Sequence, residues 1–107
     1  MKDGVYFVTF RSNQLEYGES IVVIRNGVVN GGNYICTYHG KVVTNTIELS
    51  VIKHDRSKLD AFGSRDKYRL LLVIKEDRDG YFLLGEMLED PINKVEVNLK
   101  FIGQLLD

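Results

Sequence analysis

Three side chains carry most of the reactive chemistry in this 107-residue chain: His39, His54 and Cys36. A histidine near neutrality can act as a general base or a metal ligand, and a thiol as a nucleophile or ligand. Each role needs a partner at a suitable distance. Neither histidine stands at metal-ligand spacing from Cys36, Asp55 or the other histidine. His54-Asp55 would let a carboxylate orient an imidazole, but any adjacent pair offers as much. No serine or cysteine lies in a recognisable nucleophile turn. Cys36 sits in the strand-like run Tyr34–Tyr38 with no cation fixed beside it, the setting of a packed thiol. The residues thus nominate no catalytic group, no metal and no cofactor, and we expect a protein that is not an enzyme. An isomerase or hydrolase would need one of these histidines beside another polar group in a pocket.

Other motifs also read as structural. Gly31-Gly32 is followed by no helical pattern and matches neither the P-loop nor the dinucleotide fingerprint, so it serves strand geometry. Tyr6, Tyr34, Tyr38, Tyr68 and Tyr81 fall in strand-like runs, but base-stacking sheets pair aromatics with surplus positive charge. Here the formal net charge is −1, so no direct nucleic-acid contact is expected. Glu76-Asp77-Arg78-Asp79 is a compact acidic turn whose charge suits solvation. The lone cysteine excludes an intrachain disulfide and fits a reducing compartment, and Met1–Gly4 leads into Val5–Val8 without a signal-peptide core. The longest apolar run, Leu70–Ile74, is too short to cross a bilayer. We expect a cytoplasmic protein that does not enter membranes.

The elements that must position these groups are strands. One Pro and ten Gly punctuate short β-like segments near Val5–Arg11, Glu19–Arg25, Val28–Gly31, Tyr34–Lys41, Thr46–Lys53, Lys67–Lys75, Tyr81–Leu88 and Val95–Ile102. Asn26-Gly27 supplies the positive-φ pair of a type I′ turn. Ile47, Leu49 and Val51 alternate with Glu48, Ser50 and Ile52, and Val95, Val97, Leu99 and Phe101 alternate with polar residues. The expected fold is all-β: a single domain over residues 1–107 forming a small eight-stranded antiparallel up-and-down barrel. A two-sheet β-sandwich is the structural alternative. Glycines at 31, 32, 40 and 85 would let the sheet bend. The segment His54–Asp66 exceeds a hairpin loop, so it is a flap or a short helix ended by Gly63. Leu59 and Phe62 would then form an apolar face that plugs one barrel mouth.

The segments Arg69–Ile74 and Phe82–Leu88 are apolar on both faces. With Asp79-Gly80 as a two-residue turn, or Asp77–Gly80 as a four-residue one, the same sets emerge because parity is unchanged. Leu70, Leu72, Ile74, Leu83 and Met87 share one face and would line the barrel interior, with Gly85 leaving room among them. An eight-stranded barrel either fills that space with side chains or holds one small apolar ligand. Leu71, Val73, Leu84 and Leu88 share the other face, with Lys75 and Glu86 as its charges. An antiparallel sheet normally leaves one face to water, so this second face needs a cover. A homodimer is the default, with Lys75 and Glu86 at its rim. Full burial of the four apolar side chains would gross on the order of 6–12 kcal/mol, against an association cost of ~4–15 kcal/mol.

One family likeness emerges from several short segments taken in order. Met1-Lys2-Asp3-Gly4-Val5-Tyr6, Thr9-Phe10-Arg11-Ser12-Asn13, the Asn26-Gly27 turn, Gly31-Gly32, Tyr38-His39-Gly40 and the Ile47–Lys53 strand ending in His54 resemble the GrlR family. Those proteins are negative regulators of type III secretion gene expression in bacteria. The likeness covers about the first half of the chain, and the second half agrees mainly in strand pattern. It implies a lipocalin-like barrel, a hydrophobic dimer contact, a loop plugging one mouth, and repression by binding a transcriptional activator rather than DNA. There is one departure. The best-known member carries an exposed Glu-Asp-Glu-Asp stretch where this chain has Val42-Val43-Thr44-Asn45-Thr46, so the partner contact attributed to that stretch does not transfer. The function expected is therefore a non-enzymatic regulator acting by protein contact, with a barrel for a lipid-like or other apolar ligand as the alternative.

Overall fold

Apolar residues recurring at every second position along consecutive short strands can all be buried together if the sheet closes on itself. In the computed structural model, which describes residues 1–13, 17–59, 62, 65–78 and 80–106, the sheet does so. The described strands are β1 (Gly4–Ser12), β2 (Gly18–Arg25), β3 (Val28–Gly32), β4 (Cys36–Val43), β5 (Thr46–Lys53), β6 (Lys67–Asp77), β7 (Gly80–Met87) and β8 (Lys94–Gly103). Each pairs antiparallel with the next, and β8 returns to β1 to complete the barrel. That seam runs from Val5↔Gly103 to Ser12↔Val95 and is bulged between Val5 and Tyr6. The sandwich alternative is excluded.

Up-and-down connectivity gives the barrel two unlike ends. At one lie the tight connections β2–β3, β4–β5 and β6–β7. At the other lie the longer segments 13–17, 33–35, 54–66 and 88–93. Asn26 and Gly27 have φ of 51° and 76°, the positive pair a type I′ turn requires. Thr44 also has positive φ, at 56°, and Thr46 Oγ1 donates to the Val43 carbonyl across that turn. In the β6–β7 hairpin, Asp77 pairs with Gly80, so Gly80 belongs to the strand pairing and not to an Asp79-Gly80 turn. The register is that of the four-residue reading with one further pair formed. Asp79 lies outside the described residues.

β4 starts at Cys36 rather than Tyr34. The reason is local: Asn33 Oδ1 accepts hydrogen bonds from the backbone N–H groups of Ile35 (2.8 Å) and Cys36 (2.9 Å). An Asn side chain that satisfies the backbone in this way replaces the strand ladder with a turn. The proposed helical turn at Leu59–Phe62 depends on residues 60 and 61, and its stop on Gly63; all three lie outside the described residues. Gly85 was expected to leave interior room, but a Cβ there would collide with the Leu71 carbonyl oxygen and crowd the Leu72 side chain. This glycine permits close strand approach instead.

The interior rows are mainly apolar, with Ser20 and Lys53 as buried polar residues among them, and the outer rows carry Arg11, Glu48, Arg69, Glu86 and Glu96 beside apolar residues. Among the described residues no helix is long and apolar enough to cross a membrane.

Aromatic rings close the tight-turn end. Tyr6 is fully buried, edge-on to Phe101 at 5.7 Å and tilted against Tyr81 at 6.0 Å. Its hydroxyl donates to the Lys2 carbonyl at 2.5 Å, Lys2 N donates to Tyr81 Oη at 3.0 Å, and Lys2 Nζ sits 4.0 Å over the Phe101 ring. Burial, then the neighbouring Tyr81, pushes the Tyr6 phenol up to about 12. An unfolded tyrosine ionises near pH 10, so this contribution to stability is complete below that pH and is lost as pH rises toward about 12. Tyr6→Phe should cost ~1 kcal/mol at neutral pH through the lost hydrogen bond. It should also flatten the alkaline loss of stability, measured by urea denaturation across that range.

Candidate ligand-binding cavity

The rows facing inward do not fill the barrel. A cavity of about 390 Å³ extends from the long-loop end toward the aromatic plug, within the ~300–1,000 Å³ typical of small-molecule sites. Its deep wall is aliphatic, with Ile24 and Val29 from β2 and β3, Ile47 from β5, Leu72 from β6, Leu83 from β7 and Leu99 from β8. Nearer the mouth, rings take over: Phe10, Tyr38, Phe62 and Tyr68. Tyr17, Tyr34 and Leu59 also line it and are 62%, 74% and 65% exposed, so the space reaches solvent between them. Leu49 faces it and is only half-buried, as expected of a side chain with empty space beside it.

Of the five inward residues expected to line a cavity, Leu70, Leu72 and Leu83 do so. Met87 and Ile74 do not. Met87 is fully buried beneath the β7–β8 connection, where Asn93 Nδ2 lies 3.7 Å from its sulfur. Ile74 packs half-buried near the tight-turn end, its N–H bonded to the Asn45 carbonyl. Both point inward, but above or below the empty space. Leu59 and Phe62 part company as well. Phe62 is buried and meets Tyr68 edge-on at 5.3 Å, whereas Leu59 stays at the exposed rim.

Among the described lining residues, polar groups gather around the mouth. Asn33 Nδ2 donates to the Glu19 carbonyl (2.9 Å) and to Tyr38 Oη (3.2 Å). His54 Nε2 donates to the Asn33 carbonyl at 2.8 Å, and both the His54 and Asp55 N–H groups bond to the Ile35 carbonyl. One asparagine therefore ties β2, β4 and the β5–β6 segment together at the opening. Tyr17 Oη donates to Glu19 Oε2 at 2.6 Å, which raises the Tyr17 phenol above its ordinary range. Ser20, buried, completes the polar set. Sequence reasoning passed over this set. The available signal was Asn33 after Gly31-Gly32, a turn-forming residue where the alternation breaks.

The histidines lie elsewhere. His39 is exposed on the outer side of β4, its Nδ1 3.0 Å from Asn30 Oδ1, and His54 is exposed at the long-loop end. Neither lines the cavity, and nor does Cys36, which is buried.

The outer face of β6 and β7 has the expected composition. Val73 pairs directly with Leu84 and Leu71 with Glu86, while Phe82 joins the row. Leu71 is 36% and Leu84 43% exposed; Val73 and Leu88 are half-buried. Ion pairs surround it: Arg69–Glu89 at 2.8 Å, Arg69–Glu48 at 3.4 Å, Lys94–Glu86 at 2.6 Å and Arg11–Glu96 at 2.9 Å. Glu86 is thus committed within its own chain, and Lys75 lies exposed. The energy of this face needs correcting. Its members already bury most of their surface against neighbouring strands, so covering the remainder yields only ~2–4 kcal/mol per copy, or ~4–8 kcal/mol for the two copies of a symmetric dimer, rather than full burial. That total lies at the lower end of the ~4–15 kcal/mol cost of association. A second outer set, also passed over, comprises Val5, Phe7, Ile21 and Val23, paired across β1 and β2. It carries the same signal, apolar residues at both parities.

No protein-family model matches the chain, and no curated protein matches it.

Asn33→Ala should leave the Ile35 and Cys36 amides without their acceptor. We expect a loss of ~1–3 kcal/mol and faster hydrogen exchange at those two amides, with the aromatic plug at the far end unaffected.

Proposed function

We propose that this barrel binds a small apolar ligand in its interior. The observation that carries the reading is the cavity of about 390 Å³, aliphatic in depth and polar at its opening. Apolar cavities stay dry and accept apolar guests, and a rim of hydroxyl and amide groups around an apolar well is the usual arrangement of such sites. Binding without chemistry accords with histidines and a thiol that lie away from the lining. Leu49→Trp should fill the vacant space from a position that is not tightly packed. It should leave the melting temperature within a few degrees and weaken binding of an apolar fluorescent probe at least tenfold. Equal binding by both proteins would overturn the reading.

A second reading is favoured by the outer face of β6 and β7. The chain would act as a dimeric, GrlR-like regulator in the cytoplasm, repressing type III secretion genes by contact with a protein rather than DNA. Its support is the resemblance described above and the exposed Leu71 and Leu84 amid charges of both signs. The β4–β5 turn at Thr44-Asn45 holds no carboxylate, so such a partner would bind elsewhere. The four apolar residues of two copies reach only the lower end of the association cost, so Phe82 and the charged surround would join the contact. Sedimentation of Leu71→Asp/Leu84→Asp against the parent chain tests this: dimers should become monomers. A parent chain that is monomeric at high micromolar concentration would overturn the dimer.

A further inference from the structure

We infer that the interior is shaped for a compact, ring-built apolar molecule, such as a polycyclic terpenoid, rather than for a single extended alkyl chain. This rests on the ligand-binding reading above and specifies its ligand. The proportions of the well, set by residues of the strands, favour that shape. All eight strands contribute to its lining, so the space lies along the barrel axis and reaches from wall to wall. A slot between two facing rows would touch only some of the strands.

Depth follows from the inward positions. On β5 the wall is Ile47, Leu49 and Val51, and on β8 it is Val95, Val97 and Leu99. Three alternate residues span ~13 Å of strand, or ~10 Å along the axis at a barrel tilt of about 40°. On β2 the lining runs one inward position further, to Gly18, which extends the depth to ~15 Å at most. Past the deepest residues stands the aromatic plug of Tyr6, Tyr81 and Phe101, whose rings pack on one another and lie outside the lining. The Lys2 backbone bonds the hydroxyls of Tyr6 and Tyr81 there, so a longer chain gains no room by threading deeper.

Width follows from depth and volume. About 390 Å³ over ~10–15 Å leaves a well ~6–7 Å across. An alkyl chain is only ~4 Å across, the contact distance between carbons. Extended along the axis it would touch one wall and stand off the others, and a gap of ~0.5–1 Å already forfeits a quarter to a half of each contact. Coiling to fill the width would cost rotational freedom that a fused ring system has already given up. Leu49, half-buried beside the empty space, marks the unfilled width.

Displacement of a naphthalene-based fluorescent probe by cedrol, a tricyclic alcohol, and by decan-1-ol, a linear alcohol of similar hydrophobicity, tests the inference. Cedrol should bind at least fivefold more tightly than decanol. Leu49→Trp narrows the well without shortening it, and should weaken cedrol at least tenfold but decanol less than threefold. If neither alcohol displaces the probe from the parent chain, the ligand-binding reading itself fails. A preference for cedrol below fivefold, or equal losses of both alcohols on narrowing, overturns the shape inference while the cavity keeps its apolar role.

Discussion

A closed antiparallel sheet has one inside, and every strand must send the same alternate residues into it. That constraint governs the whole molecule. Each of the eight strands supplies an inward apolar row, and no row could be buried by its immediate neighbours alone. Closure of β8 onto β1 makes the rows a shared interior. Nearly every other feature is a consequence: the aromatic plug where the tight turns converge, the roomier opposite end, and the outer rows where charged and apolar residues mix.

The same parity rule explains what could be read from the chain. Alternation in Thr46–Lys53 located a strand whose observed limits coincide with the expected ones, and Asn26-Gly27 marked its turn because few residue pairs accept positive φ twice. Parity also assigned Leu70, Leu72 and Leu83 to the inside. It could not separate two hairpin registers that differ by an even step: the four-residue reading has the observed register, the Asp79-Gly80 turn does not, and both give the same faces. Nor does parity report height along the barrel axis. Met87 and Ile74 point inward as expected, yet the empty space begins below one and ends above the other. The start of β4 was illegible because a single side chain, Asn33, competes for the backbone there.

Interior and exterior call for different kinds of reasoning. Inside, burial is nearly complete, so residue type converts directly into energy. Outside, cross-strand neighbours such as Val73 and Leu84 shield one another, and a row of large apolar side chains offers a partner much less surface than its composition suggests. The cavity therefore carries more functional weight than the outer ridge. At its opening Asn33 bonds both the Glu19 carbonyl and the Tyr38 hydroxyl.

Seven of the eight strand pairings join consecutive segments and can form locally; the eighth, between β1 and β8, gathers both extremes of the sequence. Loop-closure entropy weighs on that seam alone among the pairings, which makes it the natural late step of folding. Val5 and Gly103 lie paired at its edge, near enough for a short covalent linker to span. A circular permutant joined there would turn the slowest contact into an ordinary hairpin. New termini opened at the β4–β5 turn would move the entropic burden to the opposite wall of the barrel.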